Sequence, residues 1–266
     1  MGEVIAVDLG GTNLRVALVK NNSIVKIIKK KTPKNRKLLI KEIEDSINNL
    51  FNKRVRGIGL AVPGPVSNGV LKNPPNLKVR NFNFKRYLEK RFKVRVEIDN
   101  DANCVALAEL LLGYKKKNFF VITLGTGVGG GIVVNCKVYS GQGYGGELGH
   151  IILDNKKDFE YYWKKYRGKI LIKDMIRSSK KEHRQTLKKL VDYISQGTAS
   201  LINIFDPEIV VFAGGAKEAG EDFLSLIRKS TEKYVFLPKK YKIKWTKLNE
   251  PGILGASLLI RQGYYL

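Results

Sequence analysis

Asp99-Asn100-Asp101-Ala102-Asn103 places four polar side chains where an apolar strand gives way to a helix. One side chain is enough to cap a helix start, because a single oxygen accepts from the first free N–H groups. The surplus is available for chemistry. Asp101 is suited to accept a proton from a substrate hydroxyl, and Asn100 to hold that hydroxyl or its neighbour. Phosphoryl transfer rests on positioning and charge neutralisation, so a carboxylate of ordinary pKa would serve. Further along, Gly145-Gly146-Glu147-Leu148-Gly149-His150 sets a carboxylate and an imidazole among glycines that admit close contact. That turn suits a polar ligand. His183, in Lys180-Lys181-Glu182-His183-Arg184, reads instead as part of a solvated helix face.

Two further turns suit an anion. Leu9-Gly10-Gly11-Thr12-Asn13 separates apolar runs at 4–8 and 14–19. Gly125-Thr126-Gly127, followed by Gly129-Gly130-Gly131, separates runs at 119–124 and 132–134. Each reads as strand, tight turn, strand. Successive N–H groups in such a turn form a concave anion site. Neither is a Walker loop, since no Gly-Lys-Ser or Gly-Lys-Thr is present, and neither opens a helix as a dinucleotide fingerprint does. The geometry implied is a β-hairpin whose N–H groups and Thr hydroxyl face a phosphoryl chain. Asp8, ending the first strand, is placed to hold Mg²⁺ through water.

The elements that must position these residues repeat. Residues 7–19 align without gaps on 122–134, and each is followed later by a strand ending in glycine, at 60–64 and 211–215. Between them the spacing predicts helices over 33–53, 84–92 and 102–112, helical material over 158–205, and helices over 220–236 and 253–261. Strands are expected at 23–31, 55–62, 94–98, 151–153, 208–212 and 241–248. Two α/β halves, each offering a glycine turn, could clamp one polyphosphate, and domain interfaces are where ligands usually bind.

A chain of 266 residues can build such a pair of cores. Its net charge of +25 comes from 49 Lys and Arg residues spread along the whole length, which describes a lysine-rich surface rather than a nucleic-acid arm. No apolar run approaches the roughly 20 residues that cross a bilayer. The opening MGEVIAVDLGG lacks a basic leader region, and Ala6 stands where a myristoylation site wants Ser or Thr. Cys104 and Cys136 lie in apolar runs and are expected to be reduced core thiols of a cytoplasmic protein.

The set DLGGTNLR (8–15), LAVPGPV (60–66), DNDAN (99–103), LGTGVGGG (124–131), GGELGH (145–150) and DPEIVVFAGG (206–215) resembles the ROK family of sugar kinases, within the actin/Hsp70/hexokinase superfamily. The resemblance implies an α/β fold with two RNase H-like (actin-like ATPase) lobes around a central cleft. The smaller lobe would comprise 1–102 with a returning C-terminal helix at 253–266, and the larger 103–252. It implies ATP- and Mg²⁺-dependent phosphorylation of a hexose, glucose first, or of an N-acetylhexosamine such as N-acetylmannosamine or N-acetylglucosamine. By motif, Asp101 resembles the catalytic base. Asn100, Glu147 and His150 resemble sugar ligands, with Gly64 and Asn76 as further sugar-side contacts. Gly10, Gly11, Thr12 and Asn13 resemble the first phosphate turn, and Gly125, Thr126 and Gly127 the second. Gly214 and Gly215 fall where the family packs backbone against adenosine. Many members carry a cysteine-rich zinc loop after the Gly-His, followed by a sugar-binding Glu. Here ILDNKKDFEYYWKKYRG contains no cysteine, so no zinc is expected, and Glu160 takes the place of that Glu by position. Related kinases form dimers, so a homodimer is expected. The family's repressors begin with a helix-turn-helix, whereas this sequence begins at the first strand. The rival expectations are a non-catalytic sugar-sensing or nucleic-acid-binding protein, and an ATPase activator whose iron–sulfur cluster is shared across a dimer.

Overall fold

The computed structural model describes residues 2–74, 77–168 and 170–261. The chain opens with an antiparallel meander of β1 (Glu3–Leu9), β2 (Asn13–Lys20) and β3 (Ser23–Lys31). Alternate side chains Ile5, Val7 and Leu9 turn into one core. Asn35 then caps α1 (Arg36–Asn48), its Oδ1 accepting from Lys37 N–H at 2.9 Å and Leu38 N–H at 3.2 Å. The cap sets the helix start after Pro33, where the sequence suggested a beginning. Leu39, Ile43 and Ile47 recur at four-residue spacing and are buried. β4 (Val55–Val62) runs parallel to β1. A small antiparallel sheet of β5 (Val66–Ser67), β6 (Val70–Leu71) and β7 (Phe82–Asn83) precedes α2 (Phe84–Phe92). β8 (Arg95–Asn100) then pairs parallel with β4 and leads directly into α3 (Asp101–Leu111). The sheet order is β3-β2-β1-β4-β8.

The second half repeats this plan. β9 (Phe119–Leu124) and β10 (Val128–Val134) are antiparallel, with β11 (Lys137–Tyr139) beside β10. A ribbon of β12 (Ile152–Asp154) and β13 (Lys157–Asp158) leads to α4 (Phe159–Arg167), α5 (Ile172–Arg177) and α6 (Lys181–Phe205). β14 (Ile209–Ala213) is parallel to β9, α7 (Gly220–Thr231) follows, and β15 (Ile243–Trp245) is parallel to β14. The last helix among the described residues is α8 (Pro251–Leu258). The order β11-β10-β9-β14-β15 is the first sheet's order again, so each half is RNase H-like.

Several sequence expectations change in detail: α1 ends at Asn48 instead of 53, β15 covers only Ile243–Trp245 of 241–248, and α8 runs Pro251–Leu258 instead of 253–261. The helical stretch 158–205 is three helices: Gly168 (φ 61°) ends α4 in a conformation other residues avoid, and Ser178, extended at ψ 137°, ends α5. α7 stops at Thr231 instead of 236, since Asn203 holds the following segment through Tyr234 C=O at 3.2 Å and Phe236 N–H at 3.0 Å. Cys104 is buried, but Cys136 is exposed, in a turn where it and Asn135 both have positive φ.

By packing, the described residues fall into two compact units with separate cores. The first comprises residues 1–115, 136–145 and 247–266, the second 116–135 and 146–246. In this division α3 belongs to the first unit, where it packs with α8. A Cβ on Gly255 would lie 1.8 Å from Cys104 C=O, and one on Gly59 would lie 1.8 Å from Ala256 C=O. α8 therefore touches α3 and β4 backbone to backbone. Among the described residues no helix is long and apolar enough to cross a membrane.

Candidate active site

In the first unit the polar cluster sits where β8 meets α3. Asn100 is the cap: its Oδ1 accepts from Ala102 N–H at 2.8 Å and Asn103 N–H at 3.2 Å. With that oxygen engaged, the Asn100 amide can serve a ligand only as a donor, and its Nδ2 reaches toward Gly64 C=O at 3.5 Å. The structure thus brings Asn100 and Gly64 together; Asn76 lies outside the described residues. Asp99 is committed to the fold, accepting from Asn100 N–H at 2.6 Å and Asn103 Nδ2 at 3.3 Å. Asp101 is the first residue of α3, where the helix dipole favours a carboxylate. Burial pushes the Cys104 thiol well up, and the negative charges of Asp99, Asp101 and Asp8 push it the same way.

The first glycine turn is pinned by its carbonyls. Gly10 C=O accepts from Thr32 Oγ1 at 2.7 Å, and Gly11 C=O from Lys34 Nζ at 2.8 Å. No peptide in the described chain is cis, so each carbonyl and the following N–H point oppositely. Holding the two carbonyls on one side turns Gly11 and Thr12 N–H to the other, and neither donates to another group among the described residues. Asp8 lies beside this turn. Its Oδ2 meets Arg15 Nη1 at 3.0 Å, and Arg15 Nε meets Glu250 at 3.3 Å. Burial raises the Asp8 pKa, with Arg15 opposing and Glu250 assisting. Among the described residues no group of three or more His, Cys, Asp or Glu could hold a metal. Asp8 alone nevertheless fits Mg²⁺, which in phosphoryl-transfer sites keeps several waters and takes one or two carboxylates besides the phosphates.

The second unit carries the matching turn. Gly125 N–H donates to Gly127 C=O at 3.0 Å. Gly125 C=O accepts from Trp163 Nε1 at 3.0 Å and Arg167 Nη1 at 2.8 Å, and Val128 N–H donates to Glu160 Oε2 at 2.9 Å. Thr126 and Gly127 N–H then donate to no group among the described residues. They align on Gly11 and Thr12 in the internal repeat, so the two turns leave equivalent pairs of N–H groups for an anion. Gly214 (φ 89°) sits against the end of β9, where a Cβ would lie 2.6 Å from Leu124 C=O, while a Cβ on Gly125 or Gly215 would meet nothing within 4 Å. The backbone at 214–215 is thereby beside the turn, with open space in front of both.

Glu147, His150 and Glu160 gather near this turn. Burial raises the Glu147 pKa, with His150 opposing and Glu160 assisting. His150 Nδ1 meets Asp158 Oδ2 at 2.9 Å, a bond that raises the His150 pKa against the effect of its partial burial. Burial acts to raise Asp158, but bonds from His150 and Tyr161 N–H outweigh it and lower the pKa. Asp158 also caps α4 through Tyr161 N–H at 2.7 Å. Glu160 is turned to the protein at both oxygens: Oε2 to Val128 N–H and Oε1 to Lys164.

The ROK family model matches residues 4–161 and 156–263. The chain belongs to the ROK family. Among curated proteins, this ROK protein is 27% identical to a glucokinase of Thermotoga maritima, with 98% of each chain covered. It is 24% identical to a xylose repressor of Caldicellulosiruptor bescii over 96% of this chain and 76% of that one. Among solved structures, it resembles a ROK family glucokinase from Streptomyces griseus in complex with glucose and AMPPNP, at TM-score 0.88 and 25% identity, covering 98% and 100% of the two chains. Its sheets therefore have the actin-like ATPase arrangement seen in its ROK neighbours. Sequence reasoning missed Trp163, Arg167 and Asp158 in this ROK protein. The signal for the first two was present: Glu160, Trp163 and Arg167 stand at i, i+3 and i+7, one face of a helix.

Proposed function

We propose that this ROK protein is an ATP-dependent sugar kinase that transfers the γ-phosphate to a hydroxyl of a hexose, glucose first, with Asp101 as general base. The observation that carries this reading is the pair of glycine turns, the first with the Gly10 and Gly11 carbonyls held back and the second with that of Gly125, each leaving two adjacent N–H groups to receive phosphoryl oxygens. The similarity to glucokinases supports the choice of acceptor.

On this reading Asn100 Nδ2 donates to a sugar oxygen, and Asp101 accepts the proton of the attacking hydroxyl. Glu147 and His150 bind further hydroxyls. The hydroxyl oxygen bonds to the γ-phosphorus as the bond to the ADP oxygen breaks, and Asp101 later returns its proton to water. The N–H pairs at Gly11–Thr12 and Thr126–Gly127 stabilise the charge spread over the phosphoryl oxygens. Gly214 and Gly215 line the adenosine. Mg²⁺, held by Asp8 through water, would neutralise phosphate charge when bound.

Turnover of ATP with glucose, mannose, fructose, N-acetylglucosamine and N-acetylmannosamine tests the proposal. Sugar-dependent ADP release is expected, and its absence with all five would refute the kinase reading. Asp101→Asn should abolish turnover while sugar affinity, read by calorimetry, stays within a few-fold. An active variant would remove Asp101 from the base role.

A further inference from the structure

Two side chains of α4 converge on one backbone atom of the second glycine turn. Trp163 Nε1 and Arg167 Nη1 donate to the same Gly125 carbonyl, at 3.0 Å and 2.8 Å, and so occupy both of its lone pairs. One turn earlier, Glu160 accepts the Val128 N–H at 2.9 Å. The three residues recur at i, i+3 and i+7, so one helix face grips the turn at both ends. Trp163 is buried at 2% exposure, which fixes its indole, and the Arg167 guanidinium carbon lies 5.9 Å from the Trp163 ring centroid, within cation–π range of the first donor.

The grip has a directional consequence. In a trans peptide the C=O of Gly125 and the N–H of Thr126 are antiparallel. Drawing that carbonyl toward α4 aims the Thr126 N–H away from α4. Glu160 takes the Val128 N–H in the same manner and sends the Gly127 carbonyl back to Gly125 N–H, at 3.0 Å. Only the Thr126 and Gly127 N–H groups then remain without an acceptor among the described residues. Glycines at 125 and 127 give the segment rotational freedom that would blur this aim. The grip removes that freedom before a ligand arrives.

We infer that Arg167 and Trp163 are positioning residues for the phosphoryl donor: their shared hold on Gly125 C=O aims the Thr126 N–H at the polyphosphate. The inference rests on reading this turn as a phosphate site, and extends it to residues that touch no substrate. Arg167 acts as a second donor to the turn rather than as a charge on the ligand. The indole N–H of Trp163, which carries no charge, therefore has the same role.

Three variants test it: Arg167→Ala, Arg167→Lys and Trp163→Phe, which keeps a ring and removes the N–H. Sodium tripolyphosphate is the binding probe, measured by calorimetry on the full chain. Steady-state kinetics with ATP and the best sugar are the second readout. Arg167→Ala is expected to weaken tripolyphosphate binding about ten-fold, the scale of one charge-assisted hydrogen bond. It should raise KM for ATP by a similar factor and leave KM for the sugar unchanged. Trp163→Phe should do likewise, and Arg167→Lys should recover part of the loss. A merely structural role would lower thermal stability without separating the two KM values. Unchanged tripolyphosphate affinity in Arg167→Ala overturns the inference, as does a loss confined to the arginine variants and absent from Trp163→Phe. If the parent chain binds tripolyphosphate but phosphorylates no sugar, the kinase reading fails while the variants still decide the grip. If the parent binds neither tripolyphosphate nor ATP, the turn is not a phosphate site and the inference falls.

Discussion

Gly127 offers a sharp test of how the second turn is held. A Cβ added there would lie 2.0 Å from Glu160 Oε2 and 2.9 Å from its carboxyl carbon, distances that no real side chain tolerates. The Gly127 backbone is not in the left-handed region, so alanine meets no strain of its own. The clash must be relieved by the carboxylate, the mobile end of a side chain, swinging off Val128 N–H. Val128 is 5% exposed, so its N–H then has no water to replace the lost oxygen. A hydrogen bond to a charged group contributes about 1.5–3 kcal/mol. At about 1.4 kcal/mol per ten-fold, the turn's hold on phosphate should fall by roughly 10- to 100-fold in Gly127→Ala. A double-mutant cycle with Glu160→Ala isolates the mechanism, using KM for ATP and tripolyphosphate affinity as readouts. Both single variants remove the same bond, so the double variant should be little worse than either. Additive losses, or a Gly127→Ala enzyme within two-fold of the parent, would refute the argument.

Three shorter predictions follow from other sites. The Asp158 bond raises the His150 pKa above its ordinary 6.5, so its stabilising effect is complete below about pH 6.5 and is lost as pH rises through the folded value. Asp158→Asn keeps the α4 cap but drops the charge. It should lower the His150 pKa in an NMR titration, and its melting-temperature deficit should shrink between pH 6 and pH 8.5. Gly255→Val would drive a side chain into Cys104 C=O, where even a Cβ would lie at 1.8 Å, and should cost several kcal/mol in denaturant unfolding. A thiol reagent should modify one cysteine, Cys136, in the native protein and reach Cys104 only after unfolding, because Cys104 is buried and its thiol is pushed up.

The internal repeat was the most legible feature of the chain. Glycine turns between apolar runs at 7–19 and 122–134 anticipated two sheets, and both have the same strand order. Local chemistry was legible where one residue type has few uses, as in the cluster at 99–103. What escaped were facts of long-range packing. That Asn100, rather than a neighbour, would cap α3 depends on where β8 stops. That Glu160 would turn to Val128 N–H depends on a backbone some thirty residues away in sequence. The break in the helical run at Gly168 was marked by its glycine, but apolar periodicity continues across it and hid the stop. The unit boundary near 115 was hidden because α3 is buried on nearly all sides and carries no amphipathic signal for the surface it meets.

The first unit is assembled from three separated stretches of chain, while the second is complete by residue 246. α8 is made after both sheets, and its own Gly255 together with Gly59 of β4 lets it lie against α3 and β4 backbone to backbone. During synthesis the order of completion is therefore inverted. The strands made first must wait, with the Gly59 face of β4 uncovered, until α8 has left the ribosome. The later-made unit already has every strand of its parallel core by then. A nascent chain halted at residue 246 would hold a complete second unit and a first one still lacking α8, and incompletely packed apolar surface of that kind is what chaperones and proteases engage.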